Sequence, residues 1–212
     1  MHPPVFNLVP AIIYMVLYRN REKFSGLSVK IGIAFAKLGL SPNGWTLLTV
    51  LPALAAFWML VNEQFLYAAL FFIFAAFIDM IDGAVARVTG RATKFGAYLD
   101  TIMDRYVEGI IVFGLLFASL PYFYVPAYAW IFLYFFGSFM TTYAKSAAKE
   151  KELVEKELRG GLLERAERLL ILFAGILLAS YNPLYLIYVI ATLAVLSNIT
   201  ALQRVWIARR GP

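Results

Sequence analysis

The sequence predicts an all-α integral membrane protein, with six transmembrane helices preceded by an N-terminal amphipathic helix lying in the interface. Three observations carry this. The 212 residues are 62% apolar and only 15% charged, a balance of polytopic membrane proteins rather than soluble domains. Six apolar runs approach the roughly 20 residues that a span needs. The 19 Lys and Arg residues fall on one side of those runs. There is no cysteine, so disulfides and zinc–thiolate sites are excluded. The net charge of +6, distributed in this way, reads as membrane orientation and not as a nucleic-acid surface. Residues 1–40 are expected to hold an apolar segment and the amphipathic helix, and residues 41–212 the six-helix membrane domain.

Val5 to Tyr18 is apolar but too short for a span. No basic region precedes it and no A-x-A-like site follows, so a cleaved signal peptide is not expected. It reads as a short helix that dips into the interface or packs on the bundle. His2, the single histidine, reads as an end residue. From Arg19 to Leu40, one helical stripe holds Phe24, Leu27, Ile31, Ala34 and Leu38, and another holds Lys23, Lys30 and Lys37. Such a helix lies in the membrane plane with its lysines toward headgroups, or equally packs on protein. Gly39 to Asn43 breaks it, and Trp45 can serve as an interface anchor.

The six spans run from about Trp45 to Val61, Leu66 to Arg87, Gly96 to Leu120, Val125 to Ser146, Leu163 to Tyr181 and Leu184 to Trp206. The links after the first, third and fifth contain no Lys or Arg. The basic residues lie before the first span, at Arg87, Arg91, Lys94 and Arg105, from Lys145 to Arg168, and from Arg204 to Arg210. That places both termini in the cytoplasm. Lys149 to Arg159, with mixed charge, reads as a solvated helical extension ended by Gly160-Gly161. Arg165 and Arg168, three apart at the start of the fifth span, can snorkel or form an anion pocket. Arg204 adds a third cation at the same depth.

The chemistry concentrates between spans two and three. Asp79-x2-Asp82-Gly83-x2-Ala86-Arg87 is followed by eight residues, Gly96, three residues, Asp100, three residues and Asp104. Carboxylates at membrane depth are costly, so a functional site is the default reading. Asp79 and Asp82 share one helical face, and Asp100 and Asp104 another. Gathered together, four such groups need a cation or proton to neutralise them. Oxygen ligands with no His or Cys nearby favour Mg²⁺, Mn²⁺ or Ca²⁺ over zinc. Two divalent ions about 3.5–4 Å apart suit phosphoryl chemistry.

The pattern D-x2-D-G-x2-A-R-x8-G-x3-D-x3-D resembles the signature of the CDP-alcohol phosphotransferases at every fixed position. The resemblance implies that Asp79, Asp82, Asp100 and Asp104 hold two Mg²⁺ or Mn²⁺ ions, and that Asp104 is the general base for the acceptor hydroxyl. It implies a CDP-lipid site at Gly83, Arg87, Thr93 and Gly96. Pro42-Asn43-Gly44-Trp45-Thr46 is similar to the family's P-N-x-x-T element and adds Pro42, Asn43, Gly44 and Trp45 to that site, although an ordinary helix break explains the same residues. A homodimer is also implied.

Among these enzymes the chain looks most like the phosphatidylinositol and archaetidylinositol phosphate synthases. It shares with them Tyr143-x-Lys145-Ser146, the run Gly161 to Arg168 with Glu164-Arg165-x-Glu167-Arg168, and Leu202-Gln203-Arg204. A dianionic phosphate needs two or three convergent cations. Lys145, Arg165 and Arg204 can supply them, with Arg168 second to these. After Lys145 the chain departs from the resemblance, because those enzymes more often continue with Arg and an acid where it has Ser146-Ala-Ala. The expected reaction moves a phosphatidyl or archaetidyl group from a CDP-lipid to L-myo-inositol 1-phosphate and releases CMP. Glycerol 3-phosphate or serine is the alternative acceptor. A cation transporter using the aspartates is the alternative of another class, although no internal repeat supports it.

Overall fold

Long apolar runs broken by prolines, glycines and charged turns fold here into helices. The computed structural model describes residues 21–154 and 162–210. The segment expected at Val5 to Tyr18 and the Gly160-Gly161 pair lie outside the described residues. The helices are α1 (Arg21–Ala36), α2 (Pro42–Leu48), α3 (Val50–Val61), α4 (Phe65–Thr89), α5 (Lys94–Leu115), α6 (Ala127–Glu150), α7 (Arg165–Ala179) and α8 (Pro183–Arg210). No strand occurs among the described residues; Phe123 and Val125 form one isolated bridge.

Helix boundaries follow local chemistry. Pro52 has no N–H for the Leu48 carbonyl, and the helix is interrupted at Thr49. Pro42–Val61 nevertheless remains one apolar stretch. Three helices end on a residue in the left-handed region. Gly90 (φ 64°) follows α4, where the Arg91 N–H reaches Ala86 O at 3.1 Å. Glu63 (φ 58°) follows α3, with Gln64 N–H on Met59 O at 2.8 Å. Glu152 (φ 55°) follows α6, with Leu153 N–H on Ala148 O at 3.0 Å. The helical extension expected over Lys149 to Arg159 is corrected over its first part: the helix closes at Glu150 and residues 151–154 are not helical, while residues 155–159 lie outside the described residues.

Pro42–Val61, Phe65–Thr89 and Pro183–Arg209 are long and apolar enough to cross a membrane. The other predicted spans fall short of that measure for visible reasons. Asp100, Asp104, Arg105 and Glu108 interrupt α5, and α6, free of charge from Ala127 to Ala144, is diluted by Tyr, Trp, Gly, Ser and Thr. The 15 residues of α7 reach only roughly 22 Å. The predicted third span also stops early, because Leu116 and Phe117 turn their N–H groups to Phe113 and Gly114.

The chain divides into two compact units. The first comprises Met1–Leu48 and Phe77–Ile102, the second Thr49–Ala76 and Met103–Pro212. In the first, Trp45, Ile78, Ile81 and Val85 form a core against Ile31, Phe35 and Leu48. The Phe35 ring meets Trp45 edge-on at 5.4 Å. Here α1 packs on protein, through a face shifted from the predicted stripe. Gly32 lies so close to α4 that a Cβ would come 2.6 Å from Ala84 O. That approach is open only to glycine, so α1 turns Ser28, Ile31, Gly32 and Phe35 inward. Ala34 and Leu38 of the predicted stripe are exposed instead, as are Val29 and Ile33. Lys30 and Lys37 are exposed as expected. The core of the second unit includes Leu60, Phe72, Ile111, Leu115, Tyr134, Leu172, Ile176 and Ile190.

Candidate active site

The first unit gathers acids. Asp79 and Asp82 stand on one face of α4, and Asp100 follows the first turns of α5. One oxygen from each carboxylate lies within 4.8 Å of the other two. Asp82 is buried, and Asp79 and Asp100 are half-buried. Thr46 Oγ1 donates to Asp82 Oδ2 at 2.6 Å. Beside them an open cavity of about 210 Å³ is lined by Pro42, Asn43, Thr46, Asp82, Gly83, Arg87, Arg91, Thr93, Gly96 and Asp100, among others. Six of the eight predicted CDP-lipid residues therefore line one cavity with two of the aspartates.

The remaining two do not line it. The Gly44 N–H caps onto Ser41 Oγ at 3.1 Å, and Trp45 lies in the core at 5% exposure. Helical phase explains this: Pro42, Asn43 and Thr46 share one face of α2, and Trp45 points away from it. Burial also rules out an interface anchor at Trp45. Thr93 has a local task as well, because its Oγ1 accepts the Gly96 N–H at 2.9 Å and caps α5. The Arg87 guanidinium lies over Gly83, where a Cβ would meet its Nη1 at 3.3 Å, and donates to Ser28 Oγ at 2.8 Å.

Three converging carboxylates without imidazole or thiolate make a hard, all-oxygen donor set. Such a set fits Mg²⁺ or Mn²⁺, and the crowded like charges call for a cation.

The second unit gathers arginines. Arg165 Nη1 meets Asp104 Oδ2 at 2.5 Å, so a predicted acceptor ligand and the predicted base are paired. Arg204 donates through Nη1 to Thr141 O at 2.9 Å, and its Nη2 lies 3.6 Å from Glu164 Oε1. Lys145 is half-buried on α6, one turn beyond Thr141. Arg168 is 1% exposed and bonds Leu163 O at 3.4 Å. It therefore does not snorkel, since its guanidinium is held inside the unit. The acids of Glu164-Arg165-Ala-Glu167-Arg168 set the start of α7, where Glu167 Oε2 accepts the Glu164 N–H at 2.9 Å. Gln203 Oε1 accepts the Leu162 N–H at 3.1 Å and ties this segment to α8.

Sequence reasoning missed the centre of this network. Glu108, 2% exposed, pairs with Arg105 at 2.9 Å. Its Oε1 accepts Ser138 Oγ at 2.5 Å and Tyr134 OH at 3.3 Å. The signal was an acid inside an apolar run, one turn beyond Asp104. Thr46 was likewise visible, as the last residue of the Pro42-Asn43-x-x-Thr46 element.

Residues 39–209 match the sequence model of the CDP-alcohol phosphatidyltransferase family. The chain belongs to that family. This CDP-alcohol phosphatidyltransferase is 34% identical to the archaetidylinositol phosphate synthase of Pyrococcus horikoshii over 197 residues, 92% of this chain and 97% of that one. It is 35% identical to the phosphatidylinositol phosphate synthase of Corynebacterium glutamicum over 182 residues, 83% and 81% of the two chains. The crystal structure of Mycobacterium tuberculosis phosphatidylinositol phosphate synthase with CDP-DAG bound superposes with a TM-score of 0.78 at 29% identity, covering 87% of this chain and 94% of that one. The same Mycobacterium tuberculosis enzyme in complex with manganese and citrate gives 0.79 at 29% identity, with coverage of 87% and 90%. The chain is thus an enzyme, a transferase of phospholipid biosynthesis, and the cation-transporter reading drops out.

Proposed function

We propose that this CDP-alcohol phosphatidyltransferase makes an inositol phospholipid. It transfers the phosphatidyl or archaetidyl group of a CDP-lipid to a hydroxyl of L-myo-inositol 1-phosphate and releases CMP. The observation that carries the reading is the pairing of two chemistries in one chain. A three-carboxylate cluster borders a cavity in one unit, and in the other Arg165 pairs with Asp104 while Arg168 and Arg204 are buried. The names of the relatives support the inositol phosphate acceptor.

In this reading Asp79, Asp82 and Asp100 hold Mg²⁺ or Mn²⁺, with Asp104 as the fourth ligand of a two-ion set by sequence resemblance. The bound metal supplies Lewis-acid neutralisation of the diphosphate. The backbone at Gly83 lets the nucleotide approach closely. The planar fork of Arg87 suits the diphosphate, and Pro42, Asn43, Thr93 and Gly96 enclose the cytidine part. Arg165, Arg204 and Lys145 take the acceptor phosphate with charge-assisted hydrogen bonds.

The contact between Arg165 and Asp104 supports the base assignment, because an acceptor held by Arg165 brings its hydroxyl to that carboxylate. Asp104 takes the hydroxyl proton, and the freed oxygen forms a bond to the lipid-proximal phosphorus. The P–O bond to CMP breaks, and the electron pair leaves with CMP. The positive-inside bias puts this chemistry and both termini on the cytoplasmic side of a six-span, multi-pass cell-membrane protein. We infer a homodimer from the family resemblance.

The test is CMP release by protein in lipid, with CDP-diacylglycerol or its archaeal ether analogue and Mn²⁺ or Mg²⁺. Inositol 1-phosphate, glycerol 3-phosphate and serine are offered in turn. Release with inositol 1-phosphate alone, abolished by Asp104→Asn, is the expected result. Release with glycerol 3-phosphate instead would keep the cation pocket and discard the acceptor.

A further inference from the structure

We infer that Thr46 is a positioning residue of the metal site, acting on the ion through Asp82. The inference rests on the metal reading above and deepens it. Thr46 is 3% exposed and Asp82 is 7% exposed, so their 2.6 Å hydrogen bond is shielded from water. The hydroxyl also lies 3.2 Å from Pro42 O. It has one proton to give, and the shorter, charged acceptor takes it.

That bond has a directional consequence. It occupies a lone pair of Oδ2 and fixes the rotation of the carboxylate about its last torsion. The carboxylate is thereby held where one of its oxygens lies within 4.8 Å of an oxygen of Asp79 and of Asp100. A carboxylate on a helix otherwise rotates through a broad range of that torsion. Thr46 stands on α2, on the same face as Pro42 and Asn43, and lines the same cavity. The helix that borders the cavity therefore also sets the angle of a metal ligand. Such outer partners of ligating carboxylates typically change metal affinity or activity by about 10- to 100-fold.

The experiment uses purified protein in lipid without CDP-lipid, with Mn²⁺ as the probe. Binding is read by electron paramagnetic resonance of free Mn²⁺ and by the Mn²⁺-dependent rise of the unfolding temperature. Thr46→Val keeps the volume and removes the donor. Thr46→Ala replaces it if the valine variant does not fold. Thr46→Ser keeps the donor and removes the methyl. The expected result is a Kd for Mn²⁺ raised about 10-fold or more in Thr46→Val and close to wild type in Thr46→Ser. In Thr46→Val kcat recovers as Mn²⁺ rises.

Wild-type Mn²⁺ binding in Thr46→Val overturns the inference. An equally weak Thr46→Ser also overturns it, because the methyl packing would then be the cause. Asp82→Asn is the control for the underlying reading: if it leaves wild-type Mn²⁺ binding intact, the metal is not at this cluster, and the role of Thr46 falls with it.

Discussion

The two units of this chain treat charge in opposite ways. In the first, three aspartates bring carboxylate oxygens within 4.8 Å of one another beside an open cavity. In the second, carboxylates meet guanidiniums: Asp104 has Arg165, and Glu108 has Arg105. Guanidinium nitrogens are also in surplus there. Nε of Arg165, Nε and Nη2 of Arg168 and Nε of Arg204 make no hydrogen bond among the described residues. Buried charge is expensive unless paired. In the function proposed above, a cation completes the acid-rich unit and the acceptor phosphate completes the arginine-rich unit. The contrast separates residues kept for a ligand from residues kept for the fold.

The sharpest way to break the contrast is to remove one acid from the first unit. Asp82→Asn should lower turnover on the order of ten-thousandfold, as the loss of one member of a group acting together does. It should leave the metal-free protein as stable as wild type or more so, because a like-charge repulsion goes with it. Thermal unfolding with and without Mn²⁺ reads the second half. A large loss of metal-free stability would show that Asp82 serves the fold.

The opposite outcome is expected in the second unit. Glu108→Gln leaves half-buried Arg105 and buried Arg168 without the charge of Glu108, and breaking a buried pair costs about 3–5 kcal/mol. Ser138 and Tyr134 both donate to Glu108 Oε1, so the amide that replaces it turns its NH2 toward Arg105 Nη1, where Oε2 lay at 2.9 Å, and a donor–donor clash adds to the lost charge. Denaturant unfolding in detergent measures it. An unchanged midpoint would mean that the Glu108 network belongs to the site and not to the fold.

Sequence alone made the first unit more legible than the second, for a physical reason. The aspartates and the pocket residues are close in sequence, and helical spacing sets their faces. Asp79, Asp82, Gly83, Arg87, Gly96 and Asp100 could therefore be placed together from periodicity and motif. The stripe on α1 could not, because its direction depends on the close approach of Gly32 to Ala84. Apolar bulk gives no hint of that approach. Trp45 was misplaced for a similar reason, since its partner Phe35 lies on another helix. The end of α6 escaped because a glutamate, Glu152, takes the left-handed position where glycine would have announced it. The Glu108 network joins residues 26 and 30 positions apart, and no local pattern encodes such a pairing.

A smaller effect separates the arginines by role. Arg204→Met should raise the KM for the phosphorylated acceptor about 10- to 100-fold, the worth of one charged hydrogen-bond donor. The KM for CDP-lipid should stay near wild type. Arg165→Lys keeps the charge and loses the planar fork, so its loss should be smaller with a phosphate acceptor. It should also show in kcat, because Asp104 loses its partner. Equal effects of both variants on donor and acceptor KM would dissolve the division between a donor unit and an acceptor unit.

The smallest expected effect comes from an ion pair with no part in either site. Lys151 and Glu150 lie 3.1 Å apart, with side chains 71% and 72% exposed. Water and salt screen such a pair, and holding two long side chains together costs entropy. Lys151→Ala should therefore change stability by less than about 0.5 kcal/mol. It is the control for Glu108→Gln, because both remove one charge from an ion pair, one buried on α5 with two further hydrogen bonds and the other in water at the end of α6. A midpoint shift in Lys151→Ala as large as that in Glu108→Gln would mean that pairing itself, and not the desolvation of Arg105 and Arg168, sets the stability of the arginine-rich unit.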